Sequence, residues 1–479
     1  MRVKRTEIIL KADCRRVILK SFAVSNDDRI RKIIDRILSL TDNEAVKLYQ
    51  NVLAEFKDRH ADIEDFFRMR FAEMKRFIPA NRSCGEVRAL LIGAHFTHEY
   101  SIEAAALFNP AIVWHSDQSG LPAGSKRFIL SLRATGEGHI SSLTFRTGII
   151  DKESKIAMDE PGSRLTTGQI LPETVYERSI FEDQAKKSGL HNEQSKEILA
   201  RLNERFSGSE LAAIVKTMNE PQSKYNDAME PLLALCPDEY QLTFNSGNEI
   251  SERVIFPVTA SESNGIEDAR FVRFEDGPAV SYFATYTAYD GHHIRVKLLE
   301  TNDFLNFKSS LLYGPAVNNK GIALFPKKIN GKYAMLARQD NESNFIMFSD
   351  DLYYWRDKTI IQSPVYPWEF IQLGNCGSPL ETDAGWLVFS HGVGAMRKYS
   401  IGAFLLDRDD PTKLIGRTTD PLLAPNMTER EGYVPNVVYS CGAIIHGSEV
   451  ILPYAMSDSA TSIARIDLND LLRSMKNGT

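Results

Sequence analysis

The feature that most constrains this chain is a succession of short apolar or aromatic runs, separated by turn residues, from about residue 90 onward. Short runs rich in β-branched and aromatic side chains, bounded by Gly, Pro, Asn and Asp, are typical of β-strands. No apolar stretch reaches the length of about 18 residues that a membrane-spanning helix needs. We therefore predict an all-β body, with its clearest strands at residues 128–132, 140–145, 254–258, 282–286, 322–325, 333–336, 386–389 and 437–439.

The β part also repeats itself. Residues 301–307 (TNDFLNF) and 349–355 (SDDLYYW) share a polar start, an Asp, an apolar residue and a final aromatic, and weaker echoes occur at 409–411 and 469–471. Five units of roughly 45 to 60 residues match the blades of a propeller. We predict a five-bladed β-propeller in which the aspartates of the repeat cap turns between outer strands. A pair of β-sandwiches is the alternative architecture.

Two segments have helical rather than β periodicity. Apolar residues recur at helical spacing over 30–38, Thr41 and Glu44 form a capping-box pattern, and a third apolar stripe covers about 61–77. Helical spacing returns between about residues 172 and 245. The predicted organisation is a mainly helical N-terminal extension over 1–95, followed by a propeller catalytic domain over 96–479 with a helical insertion at about 172–245.

Composition narrows the range of partners and compartments. The chain has 479 residues and a net charge of −6 without a dominant basic stripe, which argues against nucleic acid or an anionic membrane as a partner. The first residues lack a signal-peptide core, and the five cysteines are scattered, so we expect a cytoplasmic protein with reduced thiols and no metal site. The apolar N-terminal helices leave homo-oligomer formation open.

One segment concentrates charge beside a predicted strand. Glu267, Asp268 and Arg270 follow Gly265, and because glycine interrupts regular structure we expect a loop to carry them. The loops of a propeller converge at one end of its axis, so charged residues from other units should meet this segment. These candidates are Asn109, Arg133, Lys320, Arg338, His391 and Glu431, with a further glycine-flanked loop that holds Glu137 and His139.

One acid among several cations suits cleavage of a glycosidic bond by an anion. An acid protonates the leaving oxygen, while Arg, Lys and His hold a phosphate dianion. Inverting hydrolysis instead needs a second carboxylate, about 6.5–9.5 Å from the first, to activate water. Glu381, Glu429 and Glu431 are candidates for that base. Structural ion pairs are the alternative interpretation of each charged residue.

Together these segments resemble glycoside hydrolase family 130, the β-mannoside phosphorylases and related β-mannosidases. Ala269 stands where that family typically has proline, which leaves the charged residues intact. The segments that carry the resemblance are 108–110, Arg133, 265–270, 323–326, Arg338, 349–355, 385–387, 391–392 and 432–437.

The resemblance implies a five-bladed propeller that cleaves β-mannosides with inversion, without a cofactor and with inorganic phosphate as co-substrate. It makes Asp268 the proton donor. The implied phosphate ligands are Arg270, Lys320, Arg338 and His391, and the implied sugar ligands are Asn109, Arg133, Glu267 and Glu431. Retention of Lys320 and His391 favours phosphorolysis, which yields mannose 1-phosphate. Hydrolysis of β-1,2- or β-1,4-mannosides and a non-catalytic carbohydrate-binding propeller are the alternatives, and the sequence leaves linkage and acceptor sugar open.

Overall fold

The computed structural model describes residues 3–79, 82–171, 175–187, 190, 192–218, 232 and 238–475. Parts of the predicted insertion, at 172–174, 188–189, 191, 219–231 and 233–237, therefore lie outside the described residues.

The N-terminal region forms a small helical unit flanked by strands. The predicted capping box is confirmed, because the Thr41 hydroxyl accepts from the backbone of Glu44 while the Glu44 carboxylate accepts from Thr41. The four helices share an apolar core in which Ile34 is fully buried. The elements are β1 (Lys4–Lys11), β2 (Val17–Ser21), α1 (Asp27–Leu38), α2 (Asp42–Phe56), α3 (Ile63–Met74), α4 (Glu86–His95) and β3 (Thr97–Ser101), and β2 pairs with β3.

A first group of antiparallel strands follows, and then a mixed segment with a core of its own. The first group consists of β4 (Ala106–Trp114), β5 (Lys126–Thr135), β6 (Ser141–Ile150) and β7 (Ile156–Met158). The mixed segment contains β8 (Gln169–Ile170), β9 (Val175–Glu177), α5 (Arg178–Lys187), α6 (Glu193–Ala200), β10 (Arg205–Ser207), α7 (Gly208–Met218), β11 (Tyr240–Thr243) and β12 (Val254–Ile255). Apolar side chains of α5, α6 and α7 pack together, and β9 pairs with β10.

Four more groups complete the β part in chain order. The second group is β13 (Gly265–Asp276), β14 (Ala279–Tyr289), β15 (Ile294–Thr301) and β16 (Asn306–Leu311), and the third is β17 (Ala323–Leu324), β18 (Tyr333–Ala337), β19 (Asn344–Ser349) and β20 (Thr359–Gln362). The fourth is β21 (Gln372–Asn375), β22 (Leu380–Thr382), β23 (Gly385–Gly394), β24 (Lys398–Leu406) and β25 (Leu414–Arg417). The fifth is β26 (Val438–Tyr439), β27 (Ile444–His446), β28 (Glu449–Met456) and β29 (Ala460–Asp467), followed by α8 (Leu468–Ser474).

The groups pack on one another in sequence. Separate apolar cores join the first group to the second, the second to the third, the third to the fourth and the fourth to the fifth. A further core joins the fifth group back to the first, where Leu130 packs near Ile451 and Ile463. Strand β1 leaves the N-terminal unit and pairs antiparallel with β29, so residues from both ends of the chain share the fifth sheet.

The β class predicted from the sequence is confirmed, and the five-bladed arrangement stays a prediction at this point. The turn role predicted for the repeat is also confirmed at two positions. Asp303 accepts from the backbone of Leu305 and Asn306 between β15 and β16, and Asp351 accepts from Tyr353 between β19 and β20. The echo at 469–471 lies in α8 and forms no such turn.

The expectation that a loop carries Glu267, Asp268 and Arg270 was wrong. All three lie within strand β13, which pairs with β14 on both sides of a register shift between Glu267 and Arg270. Gly265 adopts φ +145° and pairs with Ser141 of β6, where a Cβ would lie 2.8 Å from the Ser141 side chain. Glycine therefore allows the two strands to approach closely and does not end the strand.

Candidate functional site

Strands β4 of the first group and β13 of the second use the same backbone irregularity, and it brings a polar side chain of each strand into contact with the other. In β4 the register with β5 shifts between Phe108 and Ala111, and Asn109 has φ +48°. In β13 the corresponding residue is Asp268, with φ +54°. Bulges with strained residues re-aim side chains and occur beside functional sites. Here the Asn109 amide donates to Asp268 Oδ1 at 2.6 Å.

Arg133 of β5 joins both carboxylates of the β13 segment. Its guanidinium donates to Glu267 Oε1 at 2.7 Å and to Asp268 Oδ1 at 3.3 Å, while its Nε donates to the Ser141 hydroxyl. Lys320 Nζ lies 3.9 Å from Glu267 Oε2, and the Lys320 side chain is 43% exposed. Both hydrogen bonds to Asp268 fall on Oδ1, which leaves Oδ2 available to a ligand.

A second cluster, which we call the buried cation cluster, consists of Arg270, Arg338 and His391. Arg270 donates to the Tyr439 hydroxyl at 2.7 Å, and Arg338 lies 3.2 Å from His391 Nε2. All three members are at least nine-tenths buried. They come from the second, third and fourth strand groups, so only the packing of these groups brings them together.

The buried cation cluster has unpaired donors. Arg270 Nε and Arg338 Nε are buried without a hydrogen-bond partner among the described residues. Glycines leave space beside these side chains: a Cβ at Gly374 would lie 2.4 Å from the His391 ring, and Gly321 adopts φ +89° next to Arg270. Buried unpaired donors on guanidinium groups suit an anion that accepts from them.

The pKa values of Asp268 and His391 are both lowered, but for different reasons. Burial alone would raise the pKa of Asp268, but the positive charges of Arg133, Lys320 and Arg270, with the Asn109 hydrogen bond, outweigh it and lower this pKa. Burial, followed by the charges of Arg338 and Arg270, holds the pKa of His391 well below its usual value. His391 is therefore neutral near pH 7, and its Nε2 accepts from Arg338, which can only donate.

One carboxyl group that interacts with Asp268, that of Asp458, is not among the residues predicted from the sequence. It lies in the turn between β28 and β29 with φ +51°, and burial together with the negative charge of Asp268 raises its pKa to about 6. The charges of Arg133, Arg397 and Lys320 act in the opposite direction. The adjacent positive-φ residue Ser457 (φ +46°) marks a tight hairpin, but the sequence around Asp458 lacks the glycine that usually signals one.

The predicted residues divide into three sets. The structure brings Asn109, Arg133, Glu267, Asp268 and Lys320 into direct contact, and Arg270, Arg338 and His391 into the neighbouring buried cation cluster, whose charges act on Asp268 and on one another. Glu431, the remaining predicted sugar ligand, is exposed.

The other carboxylates considered as water-activating bases are held in ion pairs. Glu429 accepts from Arg5 Nε at 2.7 Å and from the Tyr454 hydroxyl. Glu381 accepts from Lys327 at 2.7 Å and from Arg408 at 3.0 Å. Both carboxylates therefore stabilise local structure.

Among the described residues, no group of three or more His, Cys, Asp or Glu side chains is arranged to hold a metal ion. Within that same part of the chain, no helix is long and apolar enough to cross a membrane.

These features define a mostly-β protein whose candidate site places a buried carboxyl group beside the buried cation cluster. Comparison with known proteins identifies its relatives. The profile of a glycoside hydrolase family 130 group described as β-1,4-mannooligosaccharide phosphorylase matches residues 245–477. A 1,2-β-oligomannan phosphorylase of Thermoanaerobacter is 36% identical over 220 residues, which cover 44% of this chain and 72% of that protein.

A β-1,2-mannobiose phosphorylase of Listeria innocua is 30% identical over 231 residues, which cover 46% of this chain and 63% of that enzyme. The chain belongs to glycoside hydrolase family 130 and is an enzyme of the glycoside phosphorylase or glycoside hydrolase class. A solved complex of a Listeria innocua enzyme with β-1,2-mannobiose superposes with a TM-score of 0.47 and 20% identity, covering 78% of this chain and 93% of that one.

Proposed function

We propose that this enzyme is an inverting β-mannoside phosphorylase, which converts a β-mannoside and inorganic phosphate into mannose 1-phosphate and a shortened sugar. The observation that carries the proposal is the buried cation cluster, where Arg270 Nε and Arg338 Nε have no hydrogen-bond partner in the part of the chain that the structure describes, and where the charge of Arg270 acts on Asp268. A dianion satisfies both donors and offsets the cost of burying their charges. The names of the relatives, which are phosphorylases of β-1,2- and β-1,4-mannosides, agree with this assignment.

In the proposed reaction, an oxygen of phosphate attacks the anomeric carbon of the terminal mannose, and the bond from that carbon to the glycosidic oxygen breaks on the opposite face. Asp268 supplies the proton that the leaving oxygen needs, through a hydroxyl group of the bound mannose. Asn109 and Arg133 hold Asp268 Oδ1, so Oδ2 is the oxygen that carries the proton. Arg133, Asn109 and Glu267 contact the sugar from the same side.

Phosphate also changes the protonation of the acid. The pKa of Asp268 is lowered by nearby cations in the unliganded site, so the free enzyme holds a carboxylate at neutral pH. A phosphate dianion bound to Arg270 neutralises part of that charge and adds a negative charge of its own. Both effects raise the pKa of Asp268, and the proton donor is formed when the co-substrate binds.

Phosphorolysis is preferred to hydrolysis because the site contains the anion pocket and lacks a free base among the carboxylates considered. Glu381 and Glu429 are committed to ion pairs, and Glu431 is exposed. Glu267, next to Asp268, is held by Arg133 and Lys320. Asp458, whose pKa the charge of Asp268 raises, supports the alternative of an inverting β-mannosidase with Asp458 as the base.

We also propose that the five strand groups are the blades of a five-bladed propeller over residues 96–479, with 1–95 as an N-terminal extension and 172–245 as an insertion. The apolar core that joins the fifth group back to the first supports this arrangement. Strand β1 departs from the proposed bounds, because it lies within 1–95 and pairs with β29 at the edge of the fifth sheet. A cytoplasmic location and homo-oligomer formation stay predictions.

The decisive experiment incubates the purified protein with β-1,2- and β-1,4-mannobiose, with and without phosphate, and measures mannose 1-phosphate and mannose. We expect mannose 1-phosphate only when phosphate is present. Asp268→Asn should lose turnover by about a hundredfold or more while it still binds mannobiose. An Asp303→Asn variant, changed in an outer turn, serves as the control and should keep wild-type turnover.

Other outcomes decide between the alternatives. Free mannose in equal amounts with and without phosphate would assign the enzyme as a hydrolase. Wild-type turnover in Asp268→Asn would remove its role as proton donor, and binding of mannosides without any turnover would support the carbohydrate-binding alternative.

A further inference from the structure

An exposed aromatic pair, His139 and Tyr433, has no role in the reaction described so far. The rings of His139 and Tyr433 stack with centroids 5.6 Å apart and planes inclined by 28°. Tyr433 is 72% exposed, and His139 is exposed with φ +60°. Exposure of a large aromatic ring to water and a strained backbone at its stacking partner both cost free energy, and a binding function explains why they are present.

Both rings are attached to residues of the site. Gly432 has no room for a Cβ because Ser457 O lies 2.4 Å away, and Val434 N donates to the same carbonyl oxygen, so Tyr433 is fixed against the turn that holds Asp458. On the other side, His139 lies two residues before Ser141, whose hydroxyl binds Arg133 Nε. The stacked pair therefore spans the interval between the Asp458 turn and Arg133.

Exposure rises from the buried cation cluster to the aromatic pair. Arg270 and His391 are 3% and 2% exposed, the side chains of Glu267 and Arg133 are 13% and 19% exposed, and Tyr433, which we take as the open end of the site, is 72% exposed. In an inverting displacement, the nucleophile and the leaving group lie on opposite faces of the anomeric carbon. With phosphate at the buried cation cluster, the leaving sugar lies at the open end.

We propose that His139 and Tyr433 form the binding platform for the leaving sugar, the pyranose unit on the reducing side of the cleaved β-mannosidic bond. This inference rests on the proposed function and adds the acceptor subsite to it. A pyranose ring presents a face of C–H groups that packs on an aromatic ring, while its hydroxyl groups stay in contact with water or polar side chains. The platform selects a sugar ring as the acceptor and discriminates against water or small alcohols in the reverse reaction.

The test uses the reverse reaction of the full-length enzyme, with mannose 1-phosphate as donor and mannose or mannobiose as acceptor. Tyr433→Ala should raise the KM for the acceptor about tenfold, with a change of no more than about twofold in the KM for mannose 1-phosphate. Tyr433→Phe keeps the ring and should restore the wild-type acceptor KM. His139→Ala should raise the acceptor KM by a smaller factor, because it removes only the ring that supports Tyr433.

Tyr313→Ala is the matched control, because Tyr313 is 51% exposed and packs on Tyr354 near the outer strands of the second and third groups. An unchanged acceptor KM in Tyr433→Ala, or an equal rise in the KM values for acceptor and mannose 1-phosphate, would overturn the platform. The proposed function would still hold in that case if the wild-type enzyme turns over. Absence of wild-type turnover with every mannoside would overturn the proposed function and the platform together.

Discussion

At the residue scale, the site depends on side chains that strained backbone directs. Asn109, Asp268 and Asp458 all have positive φ, which is uncommon for residues with a Cβ. In each case the side chain contacts or faces another charged or polar group of the site. The strain is tolerated because regular strand pairing resumes before and after each strained residue, in β4, in β13 and in the β28–β29 hairpin.

Gly374 should be intolerant of even one added methyl group. A Cβ there would lie 2.4 Å from His391 Cε1 and 3.0 Å from Arg338 Cδ, so Gly374→Ala displaces two members of the buried cation cluster. We expect the KM for phosphate to rise by about ten- to a hundredfold. Gly85→Ala is the control, since a Cβ at Gly85 would meet no atom within 4 Å. An unaltered phosphate KM in Gly374→Ala would place phosphate elsewhere.

Asp458 should make stability depend on pH. Its folded-state pKa of about 6 lies above the usual 3.8 of an aspartate, so stability is lost as pH rises through 6 and the buried carboxyl ionises. Asp458→Asn removes that cost, and urea unfolding should show a gain of about 2 kcal/mol at pH 7.5. Below about pH 4 the carboxyl is protonated in the folded state, and the gain should vanish. A gain of equal size at both pH values would contradict the raised pKa.

At the element scale, strand β1 connects the N-terminal unit to the loop that carries Tyr433. β1 pairs with β29, and Arg5 donates to both oxygens of Glu429 and to the carbonyl of Ala424. The Glu429 carboxylate in turn accepts from the backbone N–H of Asn426, and the Glu429 carbonyl accepts from the Ser457 hydroxyl. The N-terminal strand therefore fixes both the fifth sheet and the loop between the fourth and fifth groups.

Arg5→Ala should destabilise the protein because it leaves Glu429, 3% exposed, without its cationic partner. Since the Arg5 side chain is itself 34% exposed, we expect a loss of about 1–2 kcal/mol in the free energy of unfolding, measured by urea denaturation. Arg15→Ala, which breaks an exposed pair with Asp13, should cost less than about 0.5 kcal/mol. A loss in Arg5→Ala no greater than in this control would show that β1 is held by backbone pairing alone.

At the scale of the whole molecule, the helical unit and the β part have separate apolar cores. The core of α1–α4 contains no residue of the five strand groups. The strands of the N-terminal unit join the β part through a small apolar core, in which Ile18 and Tyr100 cluster with Val254. Polar contacts add to this junction, since Arg16 donates to the buried Glu103 and to the carbonyl of Ser251. Loss of packing within the helical core should therefore spare the site.

Ile34→Ala tests this separation. Ile34 is fully buried in the helical core, and its truncation should cost about 2–5 kcal/mol, seen as an earlier loss of helical signal by circular dichroism during urea unfolding. The KM values for mannobiose and phosphate should not change. Val46→Ala, at a position 42% exposed, is the control and should alter stability by no more than about 0.5 kcal/mol. Loss of phosphorolysis in folded Ile34→Ala would show that the helical unit takes part in the site.

The sequence by itself determined the β class, the N-terminal helices with the Thr41 cap, the turn role of Asp303 and most charged residues of the site. These properties follow from short-range periodicity and turn chemistry, which act over a few residues. Only the tertiary structure decided that Glu267 to Arg270 lie on a bulged strand, that the charge of Asp268 acts on Asp458 and that Glu429 pairs with Arg5. Each of those contacts joins residues far apart in the chain or depends on strand register, and local sequence preference does not encode the partner across the fold.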